Sequence, residues 1–95
     1  MKMTLGERVR AATAALMHLT GESQADLAAA LGISQTQISR RQSGNAAWSL
    51  SDCEALAAHY GIDVLDLLAG PARARDTLAP HRHRTAAVAA QGTPR

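Results

Sequence analysis

The stretch SQADLAAALGISQTQISRRQSG, residues 23–44, decides the fold. Ser23 with Asp26 three residues on forms a capping pair, in which the hydroxyl accepts from a first-turn amide and the carboxylate reaches back. The spacing predicts a helix over 24–31, with Ala25, Leu27, Ala28 and Leu31 on a common face. Gly32 supplies the left-handed conformation of a tight turn after a helix. Ser34 is a natural N-cap for a second short helix over 35–42, which Ser43-Gly44-Asn45 breaks. The small side chain of Ala28 lets the second helix cross the first closely, and Ile33 and Ile38 pin it from beneath. Gln35, Thr36, Ser39 and Arg40 are then left projecting outward, and short polar side chains near a helix start are what the major groove of a duplex admits.

The same logic extends outward along the chain. Thr4 and Glu7 form a capping box opening a helix whose stripe is Leu5, Val9, Ala12, Leu16 and Leu19, ended by Thr20-Gly21. Ser49 with Asp52 opens a helix over 50–60, with Leu50, Cys53, Leu56, Ala57 and Tyr60 expected inward and Gly61 closing it. Asp63 caps a last short helix over 64–68, whose Val64, Leu67 and Leu68 dock on the others before Gly70-Pro71 stops it. The expectation is therefore a five-helix, all-α domain over residues 1–70. Residues 71–95 read as a flexible basic Ala/Arg/His/Pro tail, disordered apart from a fleeting helix around 84–91.

Composition agrees with this class. Ninety-five residues with no Phe, one Trp and one Tyr allow one small core and favour helices over a sandwich or barrel. The single Cys53 excludes an internal disulfide, and no Cys/His spacing suits a structural zinc site. There is no apolar run of membrane-spanning length and no signal-peptide pattern, so a cytoplasmic protein without membrane contact is expected. The net charge of +2 is uneven. Lys2, Arg8, Arg10, Arg40 and Arg41 face seven acidic residues before position 71, whereas Arg73, Arg75, Arg82, Arg84 and Arg95 face only Asp76 after it. No acidic residue stands between Asp26 and Asp52, so Arg40 and Arg41 form a local basic face of the kind phosphates attract.

Residues 5–68 resemble the lambda-repressor-like, Cro/C1-type (XRE) helix-turn-helix family. The resemblance rests on S-Q-x-x-L-A at 23–28, L-G-I-S-Q at 31–35, I-S-R at 38–40, Gly44, and S-L at 49–50. It implies that Gln35 pairs with a base, that Thr36 and Arg40 face the groove, and that Gln24 bonds a phosphate and braces the base-reading residue. The side-chain chemistry agrees: glutamine matches adenine N6 and N7, and arginine matches guanine O6 and N7. Ser39 completes the base-reading set. Ser34, Gln37, Arg41, Ser43 and Asn45 join Gln24 as backbone-contact candidates. Three positions depart from the family, the first two being Arg41 in place of a large apolar residue and Gln42 in place of glutamate. Trp48, where proline is frequent, is expected to fill the space vacated at Arg41.

No phosphate loop, Ser/His/Asp grouping or carboxylate pair is supported by spacing, so no catalysis, cofactor, metal or small-molecule substrate is expected. His81 and His83, two apart in the tail, are too weak a pattern for a metal site. His18 and His59 near helix ends and Cys53 on an inward face read as structural. The functional expectation is a sequence-specific regulator, a repressor of bacterial or phage type, binding double-stranded DNA as a homodimer on a near-palindromic site. An alternative keeps the fold and binds a protein partner, as an antitoxin does, through the last two helices or the tail.

Overall fold

A computed structural model describes residues 2–84, and these residues form helices and turns without a strand. The helices are α1 (Leu5–Thr20), α2 (Gln24–Leu31), α3 (Gln35–Gln42), α4 (Leu50–Tyr60), α5 (Val64–Leu68) and α6 (Pro71–Thr77), followed by a 3-10 turn over Pro80–Arg82. Each of the first four starts at a full capping box: Thr4 with Glu7, Ser23 with Asp26, Ser34 with Gln37, and Ser49 with Asp52. Each box satisfies otherwise orphaned backbone amides, so these short helices begin at fixed residues. At the α2–α3 turn Gly32 has φ 71, a conformation in which a side chain would be strained.

The core gathers one or a few residues from every helix. Val9, Ala12 and Leu16 of α1 meet Leu27 and Ala28 of α2, Ile38 of α3, Cys53, Leu56 and Tyr60 of α4, and Leu67 of α5. Burial pushes the Cys53 thiol up, consistent with an inert core residue. At the α1–α2 corner the Glu22 carboxylate accepts a hydrogen bond of 2.7 Å from the Tyr60 hydroxyl and meets the His59 ring. Burial, then that bond, drives the Tyr60 hydroxyl far above its ordinary range. The corner that leads into α2 is thereby tied to the end of α4.

Three sequence expectations are corrected. Leu5 and Leu50 are exposed, at 51% and 75%, because each stands at the first helical position, where the side chain lies beyond the packed turns. Ala25 is exposed as well, leaving Leu27 and Ala28 as the buried residues of α2. The largest correction concerns the domain boundary at residue 70 and the tail that was to follow it. Pro71 starts α6, which packs chiefly on α1, and Ala74 and Leu78 complete the core. Pro71 sits where its missing N–H costs nothing, and the tiny side chain of Ala74 allows close approach of the two helices. Arg73 pairs with Asp66 of α5 at 2.9 Å. Beyond the 3-10 turn's start, Arg82 donates to the His59 carbonyl at 2.8 Å, at the C-terminal end of α4, where a cation suits the helix dipole. The domain thus has six helices and reaches at least residue 84. The rest of the expected tail, and all but the first residue of the expected helix over 84–91, lie outside the described residues. No helix among the described residues is long and apolar enough to cross a membrane.

Candidate nucleic-acid interface

Helix α3 is anchored by one buried side chain, Ile38, at 0% exposure. With 100° between successive residues, that anchor turns Gln35, Thr36, Ser39 and Arg40 to solvent, and all four are exposed. Among the described residues, none of the four side chains makes a hydrogen bond or ion pair. Their donors and acceptors are thus open to an external partner, and α3 contains no acidic residue. Gln24, the first residue of α2, is half-buried. Its side chain makes no bond to Gln35 among the described residues, so the brace that the resemblance implies is not made here.

The other candidates for backbone contact are already engaged within the chain. The Ser34 hydroxyl accepts from the Gln37 backbone amide at 3.1 Å while the Gln37 side-chain Oε1 accepts from the Ser34 backbone amide at 2.9 Å. Gln37 keeps its Nε2 donors available. Asn45 donates to the Ser43 hydroxyl, which itself donates to the Arg40 carbonyl. That chain of bonds shapes the loop after α3, and Ser43 and Asn45 remain exposed in it.

Arg41 is placed otherwise than its acid-free surroundings in the sequence implied. Its Nε donates to Asp52 at 3.1 Å, its Nη1 donates to the Gln37 carbonyl at 3.2 Å, and its guanidinium lies 5.7 Å from the Trp48 ring centre. Asp52 is far in sequence but returns across the loop to the end of α3. Burial works to raise the Asp52 carboxyl, but hydrogen bonds from Ser49 and Arg41 outweigh it and hold the group below its ordinary range. Arg41 is therefore a bridge between α3 and α4, and among the described residues Arg40 is the one of the pair without an ion-pair partner. Trp48 does pack beside Arg41, as expected.

Gln42 carries a role that its departure from the family pattern only hinted at. Its Nε2 donates to the Arg10 carbonyl of α1 at 3.2 Å, and its Oε1 accepts from the Trp48 indole N–H at 2.9 Å. An amide offers both a donor and an acceptor there, which a carboxylate does not. The result is an α3 held at one end by its capping box, in the middle by Ile38 and at the other end by Arg41 and Gln42. A firmly held helix whose outer polar face is unpaired among the described residues is what direct readout of base edges requires.

A family model described as Helix-turn-helix matches residues 21–67, the segment from the end of α1 to α5. No curated protein and no solved structure matches the chain. Residues 21–67 are a helix-turn-helix domain of the Cro/C1 type (XRE family), a family of DNA-binding regulators.

Proposed function

We propose that the chain is a sequence-specific transcriptional regulator that reads the major groove with α3 and acts as a repressor by occupying its site. The observation that carries this reading is the set Gln35, Thr36, Ser39 and Arg40, exposed and unpaired among the described residues, on a helix otherwise anchored from three directions. Gln35 and Arg40 are the base readers, for adenine and guanine respectively. Gln24, Gln37, Ser43 and Asn45 face the sugar-phosphate backbone, with Ser34 and Arg41 holding the helix that they flank. One such helix touches few base pairs, so two copies act together on a near-palindromic site with half-sites about one helical turn apart. A cytoplasmic location fits that role.

Leu50, 75% exposed, favours some protein contact. In the first reading a second subunit supplies it; in the antitoxin-like alternative a different protein does. Selection from a random duplex library, followed by binding across a salt series, separates the two. A DNA regulator enriches a motif, and its affinity falls steeply as salt rises because counterions are released. Gln35→Ala and Arg40→Ala each relax preference at one position, by about 1–3 kcal/mol of discrimination. No enriched motif together with a flat salt response refutes the reading in favour of the protein-partner alternative.

A further inference from the structure

We propose that Arg10 of α1, outside the helix-turn-helix, supplies a phosphate contact at the edge of the DNA interface, a proposal that rests on the DNA-binding reading. The Arg10 guanidinium lies along the loop that follows α3. Its Cζ, Nη1 and Nε are 3.5, 3.6 and 3.7 Å from the point that a Cβ on Gly44 would occupy, and its Nη1 is also 3.6 Å from the corresponding point at Gly6. The group therefore bridges the first turn of α1 and the loop, directly beside Ser43 and Asn45.

Three features make this an anion contact rather than an idle surface charge. First, the side chain makes no hydrogen bond or ion pair among the described residues. The closest carboxylate along its own helix, that of Glu7, is committed to the Thr4 amide at 2.7 Å and does not pair with it. Second, Arg10 is half-buried and its backbone is fixed by the bond from Gln42, so little freedom is lost when the fork engages a ligand. Third, Gly44 has no side chain to keep the guanidinium, or an approaching phosphate, away from the loop backbone. The Asn45 side-chain amide uses one N–H on Ser43 and keeps a second, and the Arg10 fork against the same loop has paired N–H groups that match two phosphate oxygens. The contact sets the register of α3 in the groove without reading sequence.

The test uses the full chain and a fluorescent duplex carrying the selected motif, with affinity measured by anisotropy between roughly 50 and 200 mM salt. Arg10→Gln is expected to weaken binding roughly tenfold and to lower the slope of log affinity against log salt by about one. The loss is the same on mismatched duplexes, because no base is read. Arg10→Lys, which keeps the charge, retains the slope. Arg8→Gln also retains it, because Arg8 lies at the other side of α1, with its Cγ 4.0 Å from the Cβ position of Gly70. Thermal melting of each variant separates packing from binding: a merely structural Arg10 shifts the melting temperature and leaves the slope alone. An unchanged slope in Arg10→Gln, or an equal fall in Arg8→Gln, overturns the proposal. If the unmodified chain shows no salt-dependent binding at all, the DNA reading itself has failed, which is visible before any variant is made.

Discussion

The sixth helix makes Leu78→Ala the sharpest test of where this domain ends. Leu78 is 3% exposed and joins a core that includes Ala12 and Leu16 of α1. Truncation removes three carbons from that core, about 2 kcal/mol of transfer free energy at roughly 0.8 kcal/mol for each. A cavity term adds to this, and Leu-to-Ala changes in cores span about 2–5 kcal/mol. Leu78 caps the C-terminal end of α6, where neighbours can close partly around the gap, so the lower half of that range applies: about 2–3 kcal/mol. For a domain of this size, 1 kcal/mol moves the melting temperature by roughly 4–8 °C, which puts the expected drop at about 10–20 °C. Urea unfolding followed by far-ultraviolet circular dichroism gives the free energy directly. Leu65→Ala is the internal control, because Leu65 is 70% exposed and its truncation should stay within about 0.5 kcal/mol. A Leu78→Ala effect no larger than that of Leu65→Ala refutes the docking of residues 71–78.

Two further outcomes follow from polar groups. Thr13 is fully buried, and its hydroxyl has no hydrogen-bond partner among the described residues; Thr13→Val removes that unpaired group and should raise the urea midpoint, by about 1 kcal/mol of stability, whereas a loss of similar size would mean the hydroxyl is satisfied. Acid should weaken the fold through the capping carboxylates: Glu7 and Asp26 are held below their ordinary values of 4.5 and 3.8 by hydrogen bonds to Thr4 and Ser23, and Asp52 is held below 3.8 by those to Ser49 and Arg41. A carboxyl that is more acidic in the folded chain binds its proton more readily when unfolded, so its stabilisation is full above the ordinary range and is lost as pH falls through it. Urea midpoints that stay constant or rise between about pH 5 and pH 3 would contradict this.

What the sequence made legible follows from how local each signal is. The first five helices begin and end where the capping residues and glycines placed them, because a capping box is a contract between residues three apart and needs no tertiary context. The stripes of apolar residues were less exact at their ends. Leu5 and Leu50 extend the helical spacing by one step, but a first-turn side chain overhangs the core rather than entering it. Helix α6 escaped notice for another reason. Seven residues that bury only Ala74, with Leu78 just beyond, leave too short a trace for periodicity, and alanine reads equally well as helix surface or tail. The site shows the same division. The outward residues of α3 follow from local pattern alone, whereas the partners of Arg41 and Gln42 depend on a loop closing and on the position of α1.

That division explains how eight residues both anchor a helix and leave it free to read a ligand. Gln37, Arg41 and Gln42 are spent on the fold: one on the helix start, one on Asp52 and Trp48, one on Arg10 and Trp48. Gln35, Thr36, Ser39 and Arg40 lie on the opposite arc and are spent on nothing within the described residues. Arg40 and Arg41 are identical in chemistry and adjacent in sequence, yet a rotation of 100° gives one an internal carboxylate and leaves the other exposed. Charge counted along the chain assigns both to DNA. Charge counted in space leaves Arg40 without an ion-pair partner among the described residues and puts Arg41 in the scaffold, and it brings Arg10, distant in sequence, beside the loop that Arg41 does not fill.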